Sequence, residues 1–115
     1  MKSVLVVFLG GGLGSVIRYG TSYLVMNYTN RIWIGTFLVN VLGSILFIIS
    51  HRINYELSTE QNYLIRIGFL GGLTTFSSLS FQTLQLIKSG RLIEGVGSLV
   101  LNILFGIVIG VWIVR

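Results

Sequence analysis

The chain has 115 residues, of which 53% are hydrophobic and only 10% are charged, and its formal net charge is +5. A soluble domain carries about 25% charged residues, so this composition argues against a water-soluble globular domain and indicates that lipid is the solvent. The eight lysine and arginine residues stand singly between apolar runs, a pattern that favours contact with anionic lipid headgroups and disfavours nucleic acid. The absence of cysteine excludes disulfides and thiolate metal sites.

Four segments reach the length of about 20 apolar residues that a helix needs to cross a bilayer. We predict spans over about 3–26, 33–50, 63–87 and 92–114, separated by polar breaks. They form a single all-α integral membrane domain that comprises residues 1–115. In the break before the third span, Ser58 followed three residues later by Gln61 is the pattern of a helix capping box. The sequence therefore predicts a multi-pass protein of the cell membrane.

The distribution of basic residues bears on orientation, because an excess of lysine and arginine on one side normally decides how a chain inserts. With four spans, both termini lie on the same side as the loop over 51–62. Each side then carries four basic residues: Lys2, Arg52, Arg66 and Arg115 on one, and Arg18, Arg31, Lys88 and Arg91 on the other. This balance predicts insertion in both orientations and an antiparallel dimer. The alternative is that such counts carry no information in so short a chain.

Polar side chains within spans normally face protein or water, because lipid cannot hydrogen-bond them. In the second span, Thr36, Asn40 and Ser44 recur every four residues and therefore share one helix face. Ser98 and Asn102 share a face of the fourth span. An amide such as that of Asn40 can donate two hydrogen bonds, which suits either a clamp between helices or the binding of an anion. The residue pattern leaves both readings open.

The middle of the third span is unusually polar, with two glycines followed by five hydroxyl residues in the stretch GGLTTFSSLS over 71–80. Glycine adds flexibility, and serine and threonine side chains bond to nearby backbone and bend helices. We therefore predict a broken third helix whose free carbonyl oxygens line a cavity at membrane depth. Such oxygens are ligands for a hard cation such as Na⁺. The alternative is a kink that serves only packing.

The chemistry available inside the membrane disfavours coupled transport. No acidic residue lies near the centre of a span, and the single histidine, His51, lies at the edge of a loop, whereas proton-coupled carriers normally need a buried carboxylate or histidine. The remaining donors are hydroxyls, amides and the positive ring edges of phenylalanine, which suit a small, strongly hydrated anion. Arg18 is the one charge that can lie within a span, where it either reaches the far interface or attracts anions into a vestibule.

Three stretches of the sequence resemble the Fluc (CrcB) family of fluoride channels. They are GFLGGLTTFS over 68–77, GTFLVNVLGS over 35–44, and GGGLG over 10–14 followed by Arg18 and Tyr19. The motif of the third span is the specific one, and length, number of spans and motif order agree over nearly the whole chain. The resemblance implies a fluoride-selective channel, not an enzyme, that exports cytoplasmic fluoride passively and lowers its toxicity.

The resemblance also implies roles for individual residues in the fluoride pathway. Asn40 would donate a hydrogen bond to permeating fluoride, and Phe76 would present its ring edge to the ion. Thr75 and Ser78 would be hydroxyls near the pore, and Arg18 would be vestibular or structural. The predicted pathway therefore comprises Asn40, Thr75, Phe76, Ser78, Leu79, Ser98 and Asn102.

A structural Na⁺ that is not transported is implied by the same resemblance. It would lie at the centre of an antiparallel, dual-topology dimer with two pores, held by backbone oxygens of Gly71 and Thr74 at the break in the third helix. The partner would be a second copy of the chain or a paralogous chain.

Two positions depart from the family pattern. Leu79 stands where a second phenylalanine is usual, and Gln82 stands where many members have glutamate. Leucine has no polarised ring edge, so one wall of the ion pathway is weakened. Some species pair two different chains of this family, so Leu79 favours a paralogous partner, whereas the balanced charge favours self-pairing.

Two other functions are compatible with four short spans. A small multidrug or cation transporter would need a carboxylate deep in the first helix, and this first helix has none. A non-conducting subunit of a heterodimeric channel is opposed only by the polar motif of the third span.

Overall fold

The computed structural model describes residues 1–52 and 56–115, and every regular element in these two ranges is helical. Four helices are long and apolar enough to cross a membrane, which confirms the prediction of an all-helical chain with four such helices. Of the loop predicted over 51–62, residues 53–55 lie outside the described part. The elements are α1 (Lys2–Thr29), α2 (Ile32–Arg52), α3 (Thr59–Asn62), a π-helix (Tyr63–Leu70), α4 (Gly71–Leu73), α5 (Phe76–Lys88) and α6 (Leu92–Val114). We call the run Thr59–Lys88 the third span.

Local signals explain where the helices end. Asn30 takes a left-handed conformation with φ of 56°, and its N–H donates to the Met26 carbonyl at 2.8 Å, which ends α1. Gly90, with φ of 80°, makes the turn between α5 and α6. Before the third span, Ser58 Oγ accepts from the Gln61 N–H, and the Gln61 side chain accepts from the Ser58 N–H. This reciprocal pair confirms the predicted capping box.

The first helix crosses the third span with the two backbones in contact. A Cβ atom at Gly10 would collide with the carbonyl oxygen of Leu64, and one at Gly14 would collide with that of Phe69. On the facing helix, a Cβ atom at Gly72 would collide with the backbone of α1. Only residues without a side chain permit this approach, so the glycine pairs of the two spans form one tight crossing.

The third span changes its packing partner partway along its length. Its first half, the π-helix and α4, packs against α1, whereas α5 packs against α6, and α2 contacts both halves. Between α4 and α5, Thr74 and Thr75 have extended backbone, with ψ of 152° and 116°. A small buried core of Val39, Leu70 and Leu73 lies next to this interruption. Most other large apolar side chains are exposed, as expected of a surface that lipid covers.

Candidate functional site

A cavity of about 490 Å³ opens at the Thr74–Thr75 interruption, between α2, α6 and the two halves of the third span. Amide and hydroxyl groups supply its polar side chains, and the described residues that line it include no carboxylate and no imidazole. Its polar lining residues are Asn40, Ser44, Thr74, Thr75 and Asn102.

Asn40 connects three helices at this cavity. Its Oδ1 accepts from the Thr75 N–H at 2.7 Å, and its Nδ2 donates to the Thr75 carbonyl at 3.1 Å. The same Nδ2 donates to Asn102 Oδ1 at 2.9 Å. The two backbone groups of Thr75 that the interruption frees are therefore both paired with one side chain of α2. Both amide protons of Asn40 are engaged, so the clamp between helices is formed in this structure.

Thr75 also begins the second half of the span. Its Oγ1 accepts from the Ser78 N–H at 3.1 Å, which is the hydrogen bond of a helix N-cap. The same hydroxyl donates to Ser78 Oγ at 3.1 Å. The Thr75 side chain is buried. It thus organises the first turn of α5 from inside the protein.

The interruption also leaves backbone oxygens without donors. The N–H and the hydroxyl of Thr74 both donate to the Leu70 carbonyl, at 3.1 and 3.0 Å, while the Thr75 N–H turns to Asn40. Within 1–52 and 56–115, no hydrogen bond ends on the carbonyl oxygen of Gly71 or Thr74. Both residues line the cavity, so two free carbonyls belong to residues that border it.

These carbonyls matter for cation binding because side-chain ligands are scarce. The described residues contain no group of three histidine, cysteine, aspartate or glutamate side chains that could hold a metal ion. A cation at the interruption would therefore depend on backbone and hydroxyl oxygens, which suits a hard ion such as Na⁺ better than a transition metal.

Phe76 and Leu79 both line the cavity but differ in exposure. Phe76 follows the interruption directly, and 73% of its surface is exposed. Leu79, one turn along α5, is only 4% exposed. In this chain, therefore, the Phe76 ring belongs largely to the outer surface, and Leu79 belongs to the interior.

Three of the predicted site residues lie away from the cavity lining. Ser98 is buried, and its hydroxyl donates to the Gly95 carbonyl at 2.9 Å, while Asn102 Nδ2 donates to the Ser98 carbonyl at 2.8 Å. Ser98 therefore holds the Asn102 side chain from a position outside the cavity lining. Ser78 is half-buried beside the Thr75 hydroxyl. Arg18 is half-buried on α1. The structure thus brings seven of the ten predicted residues to the cavity: Asn40, Gly71, Thr74, Thr75, Phe76, Leu79 and Asn102.

Sequence reasoning gave no role to Gly43, which also lines the cavity. A Cβ atom at this position would collide with Cγ2 of Thr74. The available signal was its spacing, because a residue three positions after Asn40 lies on the same face of α2. Nothing in the sequence alone pairs that face with Thr74.

Comparisons with known proteins cover nearly the whole chain. A family model described as CrcB-like protein, Camphor Resistance (CrcB), matches residues 5–114. A curated relative from Phocaeicola vulgatus, named fluoride-specific ion channel FluC, is 42% identical over 97% of this chain and 98% of its own length. Relatives of the same name come from Thermus thermophilus, 42% identical over 90% of this chain and 88% of the relative, and from Shewanella pealeana, 41% identical over 90% and 86%.

Proposed function

Because this chain belongs to the CrcB family, we propose that it is a fluoride-selective channel of the cell membrane that exports cytoplasmic fluoride passively. Hydrogen fluoride is a weak acid that crosses membranes uncharged and releases its anion at cytoplasmic pH. A channel lets the trapped anion leave down its electrochemical gradient, aided by a potential that is negative inside. The export lowers fluoride toxicity and needs no enzymatic step.

The observation that carries this proposal is the chemistry of the cavity at the interrupted third span. Its polar groups are amides, hydroxyls and free backbone groups, without a titratable side chain among the residues that line it. A proton-coupled carrier normally cycles protons on a buried carboxylate or histidine. The first helix, where a small multidrug transporter would hold its carboxylate, contains neither Asp nor Glu. Passive conduction of an anion is therefore favoured over coupled transport.

Fluoride would bind by taking the place of Asn102 Oδ1, so that the Asn40 amide donates to a charged acceptor in place of a neutral one. Asn40 Nδ2 donates to Asn102 Oδ1 at 2.9 Å. A hydrogen bond to an anion is roughly twice as strong as one between neutral groups, so fluoride can displace Asn102 while Asn40 keeps its bonds to Thr75. Asn102, whose Nδ2 donates to the Ser98 carbonyl, is thus the acceptor that fluoride replaces at the Asn40 amide.

The remaining pathway residues have different roles in this proposal. Phe76 presents the positive edge of its ring to the ion, and the Thr75 and Ser78 hydroxyls are polar groups near the pore. Leu79 contributes an apolar wall without a ring edge. Arg18, on α1, attracts anions electrostatically or stabilises the helix packing.

A structural Na⁺ fits the donor set at the interruption. The carbonyl oxygens of Gly71 and Thr74 have no donor among the described residues, and they are hard ligands of the kind that Na⁺ prefers. When bound, the ion would supply positive charge that offsets the mutual repulsion of these carbonyl dipoles. Two oxygens are too few for a complete coordination shell, so the site would draw ligands from the second protomer.

We further propose an antiparallel dimer with two pores. A single protomer leaves Phe76 73% exposed, so the wall that this ring would form needs a second protomer to close it. The equal numbers of basic residues on the two sides support insertion in both orientations. The partner is a second copy or a paralogous chain, and reconstitution of this chain alone distinguishes them.

The proposal is tested by fluoride efflux from liposomes that contain this chain alone in Na⁺ buffer, read by a fluoride electrode, with chloride efflux measured in parallel. We expect fluoride efflux well above chloride efflux. Asn40→Asp should lower it by about 100-fold or more, because a buried carboxylate repels the anion and lacks the Nδ2 donor that would bind it. The matched control is Asn27→Asp at an exposed position near the end of α1, which should conduct normally.

Each outcome of this experiment has a definite reading. Efflux from the chain alone establishes a self-sufficient channel and rejects an obligate heterodimer. If a well-folded chain is silent alone but conducts with a paralogous chain, it is one half of a heterodimer. If it is silent in both conditions, or if it conducts chloride as fast as fluoride, the proposed function is wrong.

A further inference from the structure

We propose that Gly43 is a positioning residue for the cation site at the interruption, an inference that rests on the proposed sodium site. One face of α2 meets both residues of the interruption: Asn40 meets Thr75, and Gly43, one turn further, meets Thr74. Asn40 holds Thr75 by hydrogen bonds to the Thr75 backbone. Gly43 acts through the absence of a side chain.

The contact at Gly43 is specific to one methyl group. A Cβ atom at this buried position would collide with Cγ2 of Thr74. The next atoms that it would meet are Thr74 Cβ at 3.7 Å and Leu73 Cδ2 at 3.8 Å, which are ordinary van der Waals distances. A single added carbon at residue 43 would therefore press on Thr74 and on nothing else nearby.

Thr74 cannot easily yield to such pressure by rotating its side chain. Its hydroxyl donates to the Leu70 carbonyl at 3.0 Å, and its N–H donates to the same oxygen at 3.1 Å. Threonine is β-branched, so turning the methyl away would also turn the hydroxyl away from Leu70. The following residue is held in place by Asn40 on both of its backbone groups. The remaining response is a shift of the Thr74 backbone, and with it of the carbonyl oxygen assigned to Na⁺.

The test is a set of three variants, Gly43→Ala, Thr74→Ser and the double variant, measured in the full chain. Serine keeps the hydroxyl bond of Thr74 but lacks Cγ2, so the double variant removes the collision. The matched control is Gly97→Ala in α6, where an added Cβ would have no atom within 4 Å. Two quantities are measured as Na⁺ replaces K⁺ at constant ionic strength: the thermal midpoint of the detergent-solubilised protein, and fluoride efflux from liposomes.

We expect Gly43→Ala to raise the Na⁺ concentration for half-maximal stabilisation by about tenfold or more. The double variant should return to the value of Thr74→Ser alone, and Gly97→Ala should match the unmodified chain. A helix that is merely disturbed would lower the thermal midpoint without moving the half-saturating Na⁺ concentration. If Gly43→Ala does not fold by itself, the double variant is the test, and folded protein with the Na⁺ dependence of Thr74→Ser alone supports the inference.

Other results would overturn it. An unchanged Na⁺ dependence in Gly43→Ala excludes positioning, and a defect that Thr74→Ser fails to relieve assigns the effect to some other contact. If the unmodified chain conducts fluoride but responds to Na⁺ in neither measurement, the inference and the sodium site are both wrong. The proposal of a fluoride channel is then retained. If the chain conducts neither alone nor with a paralogous chain but its stability depends on Na⁺ in the manner described, the inference holds and the fluoride proposal fails.

Discussion

At the scale of the residue, the structure forms one of the two roles that the sequence leaves open for Asn40, and anion binding stays a proposal. The structure forms the clamp, since the amide bonds to Thr75 and to Asn102 across three helices. A clamp of this kind does not exclude anion binding, because one of its acceptors is a side chain that can move aside. If fluoride binds here as proposed, the donor is already held in place, so little conformational entropy would be lost on binding.

Thr75 gives a prediction at this scale, because its hydroxyl caps α5 while its backbone pairs with Asn40. We expect Thr75→Val to destabilise the folded chain by about 1 kcal/mol through loss of the cap, whereas Thr75→Ser should cost only a fraction of that. Thermal unfolding in detergent measures both variants. Equal stability of the valine and serine variants would show that the hydrogen bond to the Ser78 N–H contributes nothing.

At the scale of the element, the third span consists of two helical halves separated by the extended backbone of Thr74 and Thr75. Its first half packs against α1 and its second half packs against α6. Thr74 and Thr75 therefore lie where the packing partner changes. The segment before the interruption is a π-helix over Tyr63–Leu70, a wide form that is uncommon and often occurs at functional sites. Both departures from α-helix fall on the same span and adjoin the cavity.

The glycine crossing of α1 on the third span gives a prediction for this scale. A Cβ atom at Gly14 would meet the backbone of Phe69, whereas one at Gly12 would have nothing within 4 Å. We expect Gly14→Ala to destabilise the chain by about 1–3 kcal/mol, because backbone cannot move aside as a side chain tip can. Gly12→Ala makes the same change without the collision and should be neutral or slightly stabilising.

The pair of variants is compared by thermal unfolding and by the yield of monodisperse protein in size-exclusion chromatography. If Gly14→Ala is as stable as Gly12→Ala, the two backbones do not pack as closely as described.

At the scale of the whole molecule, one cluster of charged side chains joins the ends of the helices on one side. Glu94 accepts from Trp33 Nε1 at 3.1 Å and pairs with Arg91 at 2.7 Å and with Arg31 at 3.8 Å. It thereby links α2, the turn before α6 and the turn after α1. Because these groups are partly exposed, the ion pairs contribute modestly to stability. They connect the turn after α1 with the turn before α6.

The charge balance yields a prediction that concerns insertion of the whole chain. The sequence predicts four basic residues on each side, so adding two lysines after Arg115 should favour the orientation that places both termini in the cytoplasm. If the channel is an antiparallel homodimer, this variant alone should lose most of its efflux in cells. Co-expression with a variant biased the other way should restore it.

Orientation in that experiment is read by labelling single cysteines introduced into the loops, since the natural chain has none. Full efflux from a variant that inserts in one orientation would contradict the antiparallel arrangement. The same labelling of the unmodified chain tests whether both orientations occur.

Much of this protein followed from its sequence alone. Apolar runs of the length of a bilayer, nearly free of charge, leave helices as the only way to satisfy the backbone in lipid, so the four spans and the fold class were predictable. The capping box at Ser58 was predictable because it depends on residues three apart. Most of the polar residues that line the cavity were also predicted, since polar groups within a span must face protein or water.

The tertiary structure decided what those residues contact. That the Thr75 N–H turns to Asn40, that Asn40 also reaches Asn102, and that Gly43 leaves room for the Thr74 methyl all depend on residues 31 to 62 positions apart. Spacing along one helix tells which side chains share a face, but it does not tell which face of which helix they meet. Which faces meet depends on how closely the backbones can approach, as the glycine crossing of α1 and the third span illustrates.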